Sequence, residues 1–315
     1  ENGVSYGASI VTNGYFLDKR NATKLYNWGV RQCQVTLDGD AESHDNSRYL
    51  LSGKPTYARI ISNMKEWISS VPLQVSIRVN IDTQNRGNVK GLIDDLDQHG
   101  LSGRKNFGMY FAPIEAITEA CHGCNDVSLG KSEYALFEAE LYRYAYEKGL
   151  TGLPKPPVMH GNCAAVIKNG VVVLPSGELH KCWDTVNDST MAIGTLFDTE
   201  IAFGSELHKK WMLWSPFNND TCRGCKILPN CTGACAFKFI HSEKTLGEAG
   251  ALPCPSWKFN IHERLLIRAE KAGIITADDV IAESGTTPES VGANHSTSGL
   301  FSLEGASEPK VEVHA

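Results

Sequence analysis

The segment CRGCKILPNCTGAC, residues 222 to 235, places four of the chain's ten cysteines within fourteen residues. Cys222, Cys225, Cys231 and Cys235 form C-x2-C-x5-C-x3-C. Cys163 and Cys182 precede them as C-x13-G-x4-C around Gly177, and Cys254 follows after a further eighteen residues. A C-x2-C pair points two thiolates at one metal from a single turn. A C-x3-C pair covers about one helical turn, so both sulfurs can share a side. Four thiolates suit either a tetrahedral Zn²⁺ or a [4Fe–4S] cluster. One zinc would use the central four and leave Cys163, Cys182 and Cys254 without a role. Seven thiolates at ordered positions read better as two clusters, one with four protein ligands and one with three. Disulfides would need an oxidising compartment. The opening ENGVSYGASIVTNG has neither the basic nor the apolar region of a signal peptide, so a cytoplasmic location with reduced thiols is expected.

The elements ahead of these cysteines alternate. YGASIVTN (6–13), RQCQVTLDG (31–39), LQVSIRVNID (73–82) and KNFGMYFAPI (105–114) read as strands. Helical patterns lie between them at 19–29, 56–70 and 89–100, and another follows at 131–149. The second of these carries Ile60, Ile61, Met64, Trp67 and Ile68 on one side. Strand–helix repeats of this size imply right-handed crossovers and a parallel sheet, with chemistry at the C-terminal strand ends. From the proline-rich PKPPVMHGNC (154–163) the pattern changes. VVVLPSGELHKC (171–182) reads as a hairpin turning at Ser176-Gly177, and 257–273 as a last helix. The division expected is 1–153, 154–274 and a solvated, Ser/Gly-rich acidic tail at 275–315.

A hydrophobic content of 42% allows a sizeable core, while a net charge of -6 argues against nucleic acid as main partner. No apolar run approaches the roughly 20 residues of a membrane span.

The cysteine spacing resembles the SPASM domain of radical S-adenosylmethionine (AdoMet) enzymes, whose signature is C-x(9–15)-G-x4-C, C-x2-C-x5-C-x3-C, then a later C. The resemblance extends upstream. VTNGYFLD (11–18) is similar to the TNG-x-x-L strand end of the radical domain. CQVTLDGDAESHDNSR (33–48) is similar to its S-L-D-G … H-D-x-x-R segment, with Thr36 where Ser is usual, and SIRVNID with Asn85 resembles the next strand. The implied fold is α/β: a partial (β/α)6 barrel entered at its third strand and lacking its first two, followed by the SPASM domain. The family's C-x3-C-x2-C motif, which holds the radical cluster, does not occur. Cys33, Cys121 and Cys124 cannot imitate it. The expectation is an N-terminal truncation, with the third, radical cluster in the missing part; a degenerate, non-catalytic relative is the other account.

The resemblance implies that Cys222, Cys225, Cys231 and Cys254 hold a distal auxiliary cluster, and Cys163, Cys182 and Cys235 a proximal one. The latter keeps an open iron unless His160 or a cysteine of CHGC (121–124) fills it; an incidental loop pair is the other reading of CHGC. Thr36, Asp38, Arg48, Arg78 and Asn80 become candidate AdoMet contacts. On residue type alone, Asp38-Gly39 is a plain turn and His44-Asp45 a helix cap. Cys33 reads as a buried small hydrophobe. Relatives that mature sulfatases carry a catalytic Asp directly after the second SPASM cysteine. Here Trp183 intervenes, and in an extended segment Asp184 would face the other way, although it stays a candidate base.

The activity expected is that of a maturase. An AdoMet-derived radical abstracts hydrogen from a ribosomally made peptide or protein, and electrons come from flavodoxin or ferredoxin. This chain alone is expected to be inactive. The alternatives are a sulfatase-type maturase that forms an aldehyde residue and a non-catalytic zinc or iron–sulfur module.

Overall fold

A computed structural model of the chain describes residues 3, 5–115, 124–152, 163–198, 205–241 and 254–276. It contains two compact units, Glu1–Leu265 and Leu266–Ala315. In the second, the described residues are the end of the last helix and the few that follow.

Four strands form a wholly parallel sheet in the order β1 (Ala8–Thr12), β2 (Val30–Thr36), β3 (Gln74–Ile81) and β4 (Phe107–Pro113). The crossovers are α1 (Lys19–Asn27), then α2 (Ala41–Ser47) with α3 (Tyr57–Trp67), then α4 (Val89–Gln98). After β4 come the short α5 (Cys124–Val127) and the long α6 (Lys131–Glu147). Alternation decides the faces. Val75, Ile77, Val79 and Ile81 of β3 are buried with Cys33, Val35, Phe107 and Phe111. They join one core with Ile60, Ile61, Met64 and Trp67 of α3, Leu92, Ile93 and Leu96 of α4, and Leu141 of α6. Burial pushes the Cys33 thiol up to about 12, so it is an inert apolar filler. The intervening residues Gln34, Thr36, Ser76, Arg78, Asn80 and Tyr110 are half-buried. A sheet with one apolar, helix-covered face and one polar face is what an open (β/α) barrel requires, and the α/β class expected from the sequence is observed.

Beyond Cys163 the chain builds a small antiparallel sheet from β5 (Val172–Val173), β6 (Glu178–His180) and β7 (Gly194–Thr195). The hairpin turns at Ser176-Gly177 as expected. Gly177 has φ +89°, and a Cβ there would sit 2.5 Å from the Phe197 ring, so both backbone and packing require glycine. The third strand is new, being two residues long and without a β pattern. Among the described residues four further short helices follow: α7 (Glu206–Met212), α8 (Asp220–Arg223), α9 (Leu228–Cys231) and α10 (Ala236–Ile240). The last helix of the described residues is α11 (Trp257–Lys271). A second small core joins Ala165, Cys182, Trp211, Ala236 and Phe237. Among the described residues no helix is long and apolar enough to cross a membrane.

Candidate functional site

At the C-terminal end of the parallel sheet the strand-end residues form one polar network. Asp38 follows β2 and is 7% exposed. Its Oδ1 accepts the Asn80 backbone N–H and the Asn80 Nδ2, each at 3.0 Å, while Oδ2 accepts Arg48 Nε at 2.5 Å. Arg78 Nε donates to Asn80 Oδ1 at 2.8 Å, and Thr36 stands opposite Arg78 in register. Asn85 Nδ2 closes the rim by donating to the carbonyls of Asp38 and Asn80. The five candidate contacts therefore lie together. Asp38 spends its carboxylate on its neighbours, so what the rim offers a ligand is the Arg48 and Arg78 guanidinium groups.

The segment between Gly39 and Thr56 exists to hold that rim. Asp40 caps α2 by accepting Ser43 N–H at 3.0 Å. Asp45 Oδ1 accepts the N–H groups of Thr56 and Tyr57, capping α3 from a neighbouring helix. His44 is fully buried. Its Nδ1 accepts the Asp38 N–H at 3.3 Å, so Nε2 carries the proton and donates to Thr56 Oγ1 at 3.1 Å. Burial lowers the His44 pKa despite the opposing pull of Asp38 and Asp45. A depressed folded pKa gives stability that is present above the unfolded value of about 6.5 and lost as pH falls below it. Charging His44 would also cost the Asp38 N–H its acceptor, worth about 1–3 kcal/mol. Urea unfolding at pH 7.5 and 5.5 should show a larger loss for the wild type than for His44→Gln. Equal losses would remove His44 from this role.

The cysteines sort into two groups. Cys222, Cys225, Cys231 and Cys254 line one pocket, with Ile227, Leu228 and Phe239 among its other walls. Burial pushes the Cys222 thiol up to about 11, and the Cys254, Cys231 and Cys225 sulfurs add to the rise. Metal binding here requires the thiolate forms. Among the described residues, no three His, Cys, Asp or Glu side chains converge on a single-ion position.

Cys235 belongs elsewhere, and the reason corrects the expectation that C-x3-C would span one helical turn. Thr232, Gly233 and Ala234 all have positive φ, at 49°, 87° and 50°. For Thr and Ala this costs roughly 1–2 kcal/mol each. A Cβ on Gly233 would lie 2.5 Å from Trp214. The chain reverses at once, leaving Cys231 on the pocket and Cys235 in the second core with Cys182. Burial raises both of these thiols, Cys182 to about 12. Cys163 is exposed and lies near Lys181, the residue before Cys182.

A second correction concerns Asp184. The residues after Cys182 are not extended; Trp183–Thr185 form a 3₁₀ turn. The turn exposes Trp183 and brings Asp184 Oδ2 to 3.6 Å from the Cys182 sulfur. Burial raises the Asp184 pKa. Sequence reasoning also missed Glu115. Standing just beyond β4, it accepts from Lys238 at 2.6 Å and pairs with Lys131 at 3.7 Å. Lys131 in turn donates to the Cys254 carbonyl at 2.9 Å, and Lys238 lies near Cys235 and Asp184. One carboxylate thus ties the sheet's C-terminal end to both cysteine groups. A lone Glu after a strand carries no pattern that would announce this. Cys121 and His160 lie outside the described residues, as does the side chain of Cys124.

No protein-family model matches the sequence, and no curated protein sequence matches it either. The fold has relatives among solved structures. One is anSMEcpe, an anaerobic sulfatase-maturating enzyme, with bound AdoMet. It superposes with a TM-score of 0.60 at 16% identity, over 88% of this chain and 77% of that one. Its complex with AdoMet and the Kp18Cys peptide gives 0.57 at 16% identity, over 86% and 76%. Streptococcus suis SuiB gives 0.51 at 14% identity, over 74% and 56%. The chain shares their fold.

Proposed function

We propose that the chain is the catalytic and SPASM portion of a radical AdoMet enzyme that modifies a ribosomally made peptide or protein. The observation that carries this reading is the sorting of six cysteines into two groups, both reached through Glu115 from the C-terminal end of a parallel sheet. Four cysteines around one pocket, two buried and two half-buried, suit a [4Fe–4S] cluster, with Cys222, Cys225, Cys231 and Cys254 as the distal ligands. Cys163, Cys182 and Cys235 would hold the proximal one. When bound, the clusters and AdoMet supply one-electron chemistry and hydrogen abstraction from the substrate. The protein's part is to bind and aim. Arg48 and Arg78 match the AdoMet carboxylate, and Thr36 and Asn80 offer hydrogen bonds beside them. Asp38 fixes Arg48 and Asn80 from behind. Asp184 is a candidate base for a substrate proton.

A sulfatase-type reaction, forming an aldehyde residue, is favoured as the second reading by the position of Asp184. The turn at 183–185 brings its carboxylate to the Cys182 sulfur instead of turning it away. The peptide complexes of anSMEcpe support a peptide partner for this chain as well. Flavodoxin or ferredoxin is the proposed electron donor.

The test is to purify the 315-residue chain without oxygen and measure iron, sulfide, zinc and 5′-deoxyadenosine under a strong reductant. Iron with equivalent sulfide is expected. No 5′-deoxyadenosine is expected, because none of the ten cysteines stands in C-x3-C-x2-C. Stoichiometric zinc without sulfide would establish a non-catalytic zinc module instead, and catalytic 5′-deoxyadenosine would refute the inactivity of this chain.

A further inference from the structure

The first turn of α11 presents two donors to the pocket of four thiols. Lys258 Nζ lies 3.4 Å from the Cys254 sulfur, within hydrogen-bond reach for a sulfur acceptor. The neighbouring Trp257 has a buried indole Nε1 without a conventional hydrogen-bond partner, set beside Cys231. Lys131 adds a second ammonium group on the carbonyl of Cys254. The helix that offers these groups is itself fixed. Ser256 Oγ and Asn260 Nδ2 donate to Glu138 Oε2 of α6 at 2.9 and 2.8 Å, and Asn260 also donates to the Ala135 carbonyl. Both sides of Lys258 are thereby held, so its amine is placed at the sulfur by the fold and not by a free surface side chain.

We infer that Lys258 is a positioning residue that sets the reduction potential of the distal cluster, with Trp257 acting in the same sense. This rests on the reading of Cys222, Cys225, Cys231 and Cys254 as ligands of one cluster. The physical argument is charge. Reducing an iron–sulfur cluster adds one negative charge, and a fixed cation or N–H donor at a ligand sulfur favours the more negative state. Net charge and hydrogen bonds to sulfur are two of the protein's means of tuning such potentials. The amine stands at the sulfur of one ligand, where its charge acts at hydrogen-bond range. None of the groups that place it belongs to the proximal ligand set, so the effect should be confined to one of the two clusters. The consequence for function is a distal cluster that accepts an electron more readily than its four thiolates alone would allow.

The experiment is an EPR-monitored redox titration of the reconstituted full chain as wild type, Lys258→Met, Lys258→Arg and Trp257→Phe. Lys258→Met should move one reduction midpoint to more negative potential and leave the other unchanged, with iron and sulfide content intact. Lys258→Arg keeps the charge and should stay near the wild type. Trp257→Phe should shift the same midpoint in the same direction by less. Two unchanged midpoints in a fully loaded Lys258→Met protein would overturn the inference. So would loss of about half the iron in that variant, which would make Lys258 a requirement for holding the cluster. A wild type that takes up zinc without sulfide would overturn the cluster reading itself, and this inference with it.

Discussion

Assembled without oxygen, the chain should carry about 8 iron and about 8 sulfide, against about 1 metal for a single Cys₄ zinc site. A factor of eight survives incomplete loading. The partition is sharper than the total. Cys222, Cys225, Cys231 and Cys254 share a pocket, whereas Cys182 and Cys235 share a separate core. Removing one ligand from either group should therefore empty that group alone. Cys222→Ala and Cys182→Ala should each lose about half the iron, and the double variant nearly all of it. Additivity is the expected behaviour of sites without shared ligands. Iron and sulfide analysis with EPR of the three variants checks this. Loss of all iron in either single variant would show that the groups act as one site. Unchanged iron in Cys222→Ala would remove the pocket from metal binding.

The sheet was legible because its strands are two-faced. In β3 every second residue is apolar and buried, so a period of two read from letters becomes a buried face in space. The side of α3 picked from spacing, Ile60, Ile61, Met64, Trp67 and Ile68, is the side that is buried. What the letters concealed is local structure fixed by tertiary contacts. Helix α2, AESHDNS, has no apolar period and buries only His44. It is held by the Asp40 cap and by bonds from Asp45 to α3, which no window of seven residues contains. The grouping of the cysteines came from resemblance, and C-x3-C spacing alone pointed to one shared side. The separation of Cys231 from Cys235 depends on three consecutive positive φ angles, with Trp214 packed onto Gly233. Two of those angles belong to Thr and Ala, residues whose propensities argue against them. Asp184 was misplaced for a related reason, since an alternation rule holds only in an extended chain. Strain at Thr232 and Ala234 falls beside the cysteines, where a local rule can be broken if surrounding contacts compensate.

Glu138→Ala should destabilise the fold by about 3–5 kcal/mol, the usual cost of breaking a buried ion pair from one side. Glu138 and Arg264 are 4% and 7% exposed, and Arg264 Nη2 meets Glu138 Oε2 at 2.7 Å. The same oxygen takes Ser256 Oγ and Asn260 Nδ2, while Tyr134 OH approaches Oε1 at 3.4 Å. Truncation to Ala thus strands a buried guanidinium and removes the acceptor of Ser256 and Tyr134, while Asn260 keeps only the Ala135 carbonyl. Arg264 retains one compensation, its stack 4.7 Å over the Tyr142 ring, which places the expected loss toward the lower end of that range. Replacing both charges should cost less than replacing one. Glu138→Leu with Arg264→Met fills the volume and strands no ion, so its loss should fall below that of Glu138→Ala. The measurement is urea unfolding of the single and double variants, combined with hydrogen exchange in the first turns of α11. Exchange there should rise in Glu138→Ala before global unfolding, because Ser256 loses its anchor and Asn260 one of its two. A loss under about 1 kcal/mol in Glu138→Ala, typical of an exposed pair, would show that α11 does not depend on Glu138. A double variant less stable than Glu138→Ala would show that the ion pair itself, and not the avoidance of a stranded charge, stabilises this contact.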